Sequence, residues 1–170
     1  MKKVVLFKIY MAEGDPFMAN EEKRKVLILC TGNSCRSQMA EAIINLDLAS
    51  EWQAFSAGTR PAGYIHPMAL DVLSEIGVQH VGQSKSTDEF RGVNFDLIIT
   101  VCDDAAENCP VWLGPGEKVH IGFPDPALAT GTDEQKLAVF RSVRDDIRRV
   151  IPAFIRQYKA KEPQSFVSKS

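Results

Sequence analysis

The chain has 170 residues, of which 45% are hydrophobic and 25% charged, and its formal net charge is -2. This length fits one domain with its own hydrophobic core, and the balanced charge excludes a strongly basic nucleic-acid binder. No apolar run reaches the 18 residues of a membrane span, and four cysteines are too few for a disulfide scaffold. We expect a cytoplasmic monomer that binds neither nucleic acid nor membrane.

The predicted elements follow an N-terminal extension, residues 1–24, and precede a polar tail, residues 159–170, so that a single domain spans residues 25–158. Two continuous apolar runs, 25–29 and 95–101, are typical of strands buried on both faces. Two further strands are predicted at 52–57 and 118–121. Apolar residues at helical spacing predict three helices and one short helical segment: 37–49, 66–76, 132–158 and 87–91. Pro152 is expected to bend the last helix.

Buried strands that alternate with helices predict an α/β fold of three layers, with a central parallel four-stranded sheet and helices on both faces. In such sheets ligands bind beyond the carboxyl ends of the strands. Cys30 directly follows the first strand, and Cys102 directly follows the run FDLIITV. We therefore expect these two cysteines at one edge of the sheet.

The loop after the first strand has the features of an anion site. It runs from Cys30 to Ser37 and leads into a helix, whose N-terminus presents unpaired N–H groups and the positive end of a dipole. Gly32 and Asn33 tolerate the positive φ that turns successive N–H groups inward, and Arg36 adds a planar fork for an oxyanion. Such a ring of donors would stabilise a Cys30 thiolate, the reactive nucleophile. The alternative is a cysteine that closes a core strand and a serine that caps a helix.

A structural metal site is not expected. The three histidines, His66, His80 and His120, are scattered, and none lies at a metal-ligand spacing from a cysteine.

The run VLILCTGNSCRSQMAEA, residues 26–42, resembles the signature of the low-molecular-weight tyrosine phosphatase superfamily, and the resemblance covers residues 25–157. It implies that Cys30 is the nucleophile and that Arg36 clamps the oxyanion. It also implies that the whole loop binds the oxyanion: Thr31, Gly32, Asn33, Ser34, Cys35, Arg36 and Ser37. The family carries a general-acid Asp-Pro on a later loop, and Asp125 in FPDPA matches it; alone, Asp-Pro would indicate only a turn.

Two further features divide the superfamily. Ala127 follows the Asp-Pro pair, where the phosphatases usually have an aromatic residue that holds a tyrosine substrate. The segment from Cys102 to Cys109 and Pro110 resembles the redox segment of thioredoxin-coupled arsenate reductases, which share this fold. Reduction of arsenate takes two electrons, which one dithiol-to-disulfide conversion supplies, whereas a phosphatase needs no second thiol.

The resemblance therefore predicts an arsenate reductase that works by a Cys30/Cys102/Cys109 relay. Thioredoxin is the expected electron donor, phosphate and sulfate are the expected competing oxyanions, and no tightly bound cofactor is expected. The alternatives are a phosphotyrosine phosphatase acting through a Cys30 phosphoenzyme and a non-catalytic oxyanion-binding module. Intact Cys30, Arg36 and Asp125 argue against the module. If Cys102 and Cys109 stood alone, two buried core thiols would be the simpler interpretation.

Supporting roles also follow from the resemblance. Ser37 is expected to donate to the Cys30 thiolate, Asn33 to orient the loop, and Cys35 to pack in the core. Some reductases of this type hold a potassium ion near the loop, and the matching positions are Asn33, Glu41 and Ser56. No carboxylate stands at the expected remaining position, near Lys85 and Ser86. An ammonium group from Lys85 is expected to replace the potassium ion.

Overall fold

The computed structural model describes residues 22–102 and 111–158. The strands are β1 (Arg24–Cys30), β2 (Trp52–Gly58), β3 (Leu97–Thr100) and β4 (Glu117–His120). The helices are α1 (Arg36–Asp47), α2 (Pro67–Ser74) and α3 (Asp133–Gln157), with short 3-10 helices at Thr87–Phe90 and Pro126–Leu128. The predicted order of elements is confirmed, except that the 3-10 helix Pro126–Leu128 was not predicted.

Two predicted boundaries move for identifiable reasons. The strand β1 already includes Arg24, which pairs with Trp52, so the sheet begins inside the expected extension. The strand β3 is shorter than the predicted 95–101. At its start the Asp96 carboxylate accepts the backbone N–H of Lys25 at 2.7 Å, which takes the donor that a longer ladder would use. The helix α3 runs through Pro152.

The four strands form one parallel sheet in the order β2-β1-β3-β4. The chain moves from β1 to β2 on one side and then to β3 on the other side of β1. The strand order therefore reverses at β1, which creates a crevice beyond the carboxyl ends of β1 and β3. Cys30 ends β1, and Cys102 lies two residues beyond β3.

Apolar side chains fill both faces of the sheet. One face packs against α1, α2 and α3, and its core includes Val26, Ile28, Met39, Ile43 and Ile147, all fully or almost fully buried. The other face holds an aromatic cluster of Phe55, Phe90, Phe95 and Trp112 around Leu27, Leu29 and Ile98. In the described part of the chain, this second face is covered by the 3-10 helix Thr87–Phe90 and by Trp112.

Within residues 22–102 and 111–158 no helix is long and apolar enough to cross a membrane. Residues 1–21 of the expected extension, the expected tail 159–170 and Cys109 lie outside the described residues.

Candidate active site

The loop between β1 and α1 is held from outside by its carbonyl groups. The carbonyl oxygens of Thr31, Gly32 and Ser34 accept the backbone N–H groups of Arg60, Ala62 and His66 at 2.9–3.0 Å. In a trans peptide the C=O and the following N–H point in opposite directions. With these carbonyls turned outward, the following N–H groups turn toward the centre of the loop, as an anion site requires. The Asn33 N–H shows this directly, because it donates to Cys30 Sγ at 3.1 Å.

Left-handed backbone occurs at one position in the loop. Asn33 has φ 45°, and it is the one non-glycine residue with positive φ in the described part of the chain. The expectation that Gly32 also adopts positive φ is wrong. A Cβ on Gly32 would also meet no atom within 4 Å, so neither a positive φ nor a close contact requires glycine here.

Gly58, the last residue of β2, packs directly against the backbone of the loop. A Cβ on Gly58 would lie 2.5 Å from the Thr31 carbonyl oxygen and 3.0 Å from the Asn33 nitrogen. Only glycine lets β2 approach the loop backbone this closely.

The Cys30 thiol is buried at the centre of these donors. Its Sγ lies 2.9 Å from Ser37 Oγ in addition to the contact with the Asn33 N–H. The helix α1 begins with Cys35 as its N-cap residue, makes no side-chain capping hydrogen bond and carries no acidic residue in its first turn. The interpretation of Ser37 as a capping residue is therefore wrong, and the positive end of the α1 dipole stays directed at the site.

Arg36 and Asp125 form an ion pair at the edge of the loop. Arg36 NH2 donates to Asp125 Oδ2 at 2.8 Å, and Arg36 NH1 donates to the Phe123 carbonyl at 3.1 Å. Asp125 also caps the 3-10 helix Pro126–Leu128 by accepting from the Ala127 N–H. The Asp-Pro pair therefore forms the turn expected from its residues and also brings a carboxylate to the anion site.

The second cysteine reaches the same place through the sheet. Leu29 pairs with Thr100, and the Val101 N–H donates to the Leu29 carbonyl, so the chain after β3 runs alongside the end of β1. Cys102 is 4% exposed, and its Sγ lies 3.8 Å from the Thr31 hydroxyl. The tertiary structure thus brings Cys102 to the loop that carries Cys30.

Cys35 has the surroundings of a packing residue. It is 5% exposed and belongs to the main core cluster. Burial raises the pKa of its thiol to about 12, with a further contribution from the nearby Asp125 carboxylate. A thiol with that pKa stays protonated at neutral pH and is a poor nucleophile.

An ammonium group lies beside Glu41, one of the three residues that match the potassium site of related reductases. Lys85 Nζ lies 3.4 Å from Glu41 Oε2, and the same oxygen accepts a short hydrogen bond from Ser56. Asn33 Nδ2 donates to Ser56 Oγ at 2.8 Å and so ties this cluster to the loop. In the described ranges no three His, Cys, Asp or Glu side chains are grouped as a metal site would require.

Sequence reasoning did not find Gly58 or the second layer of polar side chains behind the loop. Gln38, His80 and Ser84 all bond to the loop or to each other. Gln38 directly follows the loop Cys30–Ser37, but its neighbours along the chain do not show that it is fully buried. His80 and Ser84 lie in an irregular segment whose position only the folded chain defines.

Known proteins share this architecture. The model of the family described as low molecular weight phosphotyrosine protein phosphatase matches residues 25–164. An arsenate reductase of Halalkalibacterium halodurans is 46% identical over 133 residues, which cover 78% of this chain and 95% of that protein. A solved structure described as an arsenate reductase in the phosphate binding state has TM-score 0.62 and 27% identity, over 80% of this chain and 99% of that one. A thioredoxin-dependent arsenate reductase of Corynebacterium glutamicum has TM-score 0.55 and 27% identity, over 80% of this chain and 63% of that one.

Proposed function

The chain belongs to the low molecular weight phosphotyrosine protein phosphatase family, and we propose that within it the protein is an arsenate reductase with a three-cysteine relay. The observation that carries the proposal is the meeting of two thiols at one anion site. Cys30 lies inside the loop, and Cys102 contacts Thr31 of the same loop. Phosphate ester hydrolysis uses one thiol, whereas a two-electron reduction uses a pair. The relatives described as arsenate reductases support this choice.

The first step is binding of arsenate, a tetrahedral oxyanion, in the loop. The inward N–H groups donate hydrogen bonds to the oxyanion, and the positive end of the α1 dipole attracts its charge. The Arg36 guanidinium provides two further donors. In the structure that fork is held by Asp125 and Phe123. Binding therefore requires Arg36 to turn from Asp125 to the oxyanion, which frees the Asp125 carboxyl for proton transfer.

The second step is attack of the Cys30 thiolate on arsenic. A sulfur–arsenic bond forms and an arsenic–oxygen bond breaks, and Asp125 supplies the proton that converts the departing hydroxide to water. Hydrogen bonds from the Asn33 N–H and the Ser37 hydroxyl stabilise the thiolate before attack. Arsenic remains As(V) at this stage.

The third step is the reduction. Cys102 thiolate attacks Cys30 Sγ, a disulfide forms, and the electron pair of the sulfur–arsenic bond stays on arsenic, which leaves as arsenite, As(III). The two thiolates together supply the two electrons. The Thr31 hydroxyl, 3.8 Å from Cys102 Sγ, is placed to donate to this nucleophile.

The relay ends by moving the disulfide. Cys109 attacks Cys102, which releases Cys30 and leaves a Cys102–Cys109 disulfide for thioredoxin to reduce. A thioredoxin-dependent relative with the same fold supports thioredoxin as the donor. The site binds phosphate or sulfate as competing oxyanions, since they share the tetrahedral shape. We propose a cytoplasmic monomer, in keeping with this reducing partner.

The test is the variant Cys109→Ser. It retains Cys30 and Cys102, so we expect it to release about one arsenite per enzyme and then stall as a Cys30–Cys102 disulfide, which mass spectrometry can map. Cys30→Ser should release none. Sustained thioredoxin-coupled turnover by Cys109→Ser, followed as NADPH oxidation with thioredoxin reductase, would overturn the relay.

Phosphatase activity is the second candidate, because Cys30, Arg36 and Asp125 also suffice for hydrolysis of a phosphate ester. We expect slow hydrolysis of a small aryl phosphate under reducing conditions. Cys109→Ser should largely retain it, whereas Cys30→Ser and Arg36→Lys should lose it, since an ammonium group cannot reproduce bidentate oxyanion contacts. A phosphatase that releases no arsenite would make hydrolysis the main function.

A further inference from the structure

A buried glutamine holds the back of the anion loop. The Gln38 side chain is 0% exposed. Its Nε2 donates to the Asn33 carbonyl at 3.2 Å, to Asn33 Oδ1 at 3.0 Å and to the Gln83 carbonyl at 2.8 Å. One amide group therefore hydrogen-bonds to both the main chain and the side chain of Asn33, the single left-handed residue of the loop. It also links Asn33 to the segment before Lys85.

The backbone partners fix which way each amide points. A carbonyl oxygen can only accept, so the Gln83 and Asn33 carbonyls require Gln38 Nε2, and not Oε1, on their side. A backbone N–H can only donate, so the Lys85 N–H, 2.6 Å away, requires Asn33 Oδ1 on its side. Asn33 Nδ2 consequently faces Ser37 Oγ at 2.9 Å and Ser56 Oγ at 2.8 Å.

This orientation leaves the Ser37 proton free for Cys30. The Ser37 oxygen accepts from Asn33 Nδ2, and its own proton is then available for Cys30 Sγ, 2.9 Å away. A thiolate only accepts, so in that state Ser37 is the donor, and a hydrogen bond donated to sulfur favours the thiolate. With Cys30 as the thiolate, the direction of every bond from Gln38 to Cys30 is determined.

His80 lies at the other end of this series of hydrogen bonds. Gln38 Oε1 lies 2.7 Å from His80 Nε2, and an amide oxygen only accepts, so Nε2 carries the proton. Burial lowers the pKa of His80, so the ring is neutral and holds this proton alone at neutral pH. Gly82 closes over the contact: a Cβ there would lie 2.8 Å from Nε2 and 3.1 Å from Gln38 Oε1.

We propose that Gln38 and His80 are positioning residues for the Cys30 nucleophile: His80 Nε2–H fixes the Gln38 amide, Gln38 holds Asn33, and Asn33 directs the Ser37 hydroxyl proton to Cys30 Sγ. The inference rests on the proposed function only for the role of Cys30 as nucleophile. Neither side chain touches the oxyanion loop's inner face in this scheme; both act through Asn33.

The test measures the thiolate itself. In a Cys102→Ser/Cys109→Ser background, iodoacetamide alkylation followed against pH reports Cys30, since Cys35 stays protonated. Gln38→Met keeps the length of the side chain and removes its hydrogen bonds. We expect the midpoint of the alkylation profile to rise by about one pH unit, which is about a tenfold smaller thiolate fraction at lower pH. The alkylation rate above the new midpoint should match that of the parent.

Matched variants separate positioning from folding. His80→Leu removes the donor from a half-buried site and should shift the midpoint in the same direction, whereas His80→Gln offers an amide N–H in its place and should restore it. Gln53→Met makes the same chemical change on an exposed position of β2 and should leave the profile unchanged. Circular dichroism and thermal unfolding show which variants are folded.

Two results would overturn the inference. One is an unshifted midpoint in folded Gln38→Met or His80→Leu; the other is a shift of equal size in His80→Leu and His80→Gln. The outcome is independent of the relay. A protein that reduces no arsenate but shows the shifted alkylation midpoint would overturn the proposed function alone. A working reductase without that shift would overturn this inference alone.

Discussion

Gly58→Ala is a sharp test of the site because it adds one methyl group where the structure leaves no room. The new Cβ would lie 2.5 Å from the Thr31 carbonyl oxygen and 3.0 Å from the Asn33 nitrogen, both of them backbone atoms. Ordinary contact begins at 3.4 Å. The end of β2 and the loop must therefore separate by about 0.9 Å, and no side chain can rotate to relieve the clash.

A displacement of that size is large for a catalytic loop. A misplacement of about 1 Å can cost on the order of 100-fold in rate, so we expect kcat/KM for arsenate to fall by about that factor. Overpacking should lower the free energy of unfolding by about 1–3 kcal/mol. Gly32→Ala is the matched control for stability, since its Cβ meets no atom within 4 Å and it should unfold at the wild-type denaturant concentration.

The assay is thioredoxin-coupled NADPH oxidation at varied arsenate, with denaturant unfolding of the same preparations. A Gly58→Ala enzyme with wild-type kcat/KM would refute the reasoning, because it would show that the loop tolerates the shift or that its geometry does not govern the reaction. Destabilisation without loss of kcat/KM would assign Gly58 to folding alone.

Three further predictions follow from the contacts and charges around the site. Lys85→Met leaves the Glu41 carboxylate without its ammonium partner at 3.4 Å, so we expect the free energy of unfolding to fall by about 1.5–3 kcal/mol. KCl should partly restore the stability of this variant, whereas choline chloride should not. An equal effect of both salts would contradict a cation site. Cys35 has a pKa of about 12, raised mainly by burial. Mass spectrometry after iodoacetamide treatment of the folded protein at pH 8 should therefore find Cys35 unmodified. Modification at the rate of Cys30 would show that Cys35 is reactive. Hydrogen bonds from Arg141 lower the pKa of Glu75 in the folded protein. The contribution of Glu75 to stability is therefore present above its pKa in the unfolded chain, about 4.3, and is lost as pH falls through its lower pKa in the folded protein. The difference in urea midpoint between wild type and Glu75→Gln should shrink in that pH range, and a pH-independent difference would count against the ion pair.

Much of the fold could be predicted from local pattern. The apolar run 25–29 lies in β1, and the run 95–101 contains β3. The spacing of Phe140, Val143 and Ile147 predicted α3, and alternation of the two element types predicted the parallel sheet. Boundaries were less accurate because they depend on single contacts, such as the Asp96 carboxylate that shortens β3. The 3-10 helix after Asp125 was missed because a three-residue turn has no periodicity to detect.

The sequence by itself determined the chemistry available to the site. An eight-residue stretch contains the proposed nucleophile Cys30, the left-handed Asn33, Arg36 and Ser37, because an anion loop forms from consecutive peptide groups and needs few distant partners. These residues could be read from their order along the chain.

The tertiary structure decided what surrounds that loop. Cys102 reaches Thr31 only because β3 pairs with β1, and Gly58 matters only because β2 ends beneath the loop. Gln38 and His80 are 42 residues apart in sequence, and their contact, which orients the amides behind Cys30, exists only when the segment after α2 folds back over α1. A hydrogen bond has a direction and a length of about 3 Å. The residues that determine the orientation of the thiol's donors are therefore identified by their positions in space, which no local sequence pattern specifies.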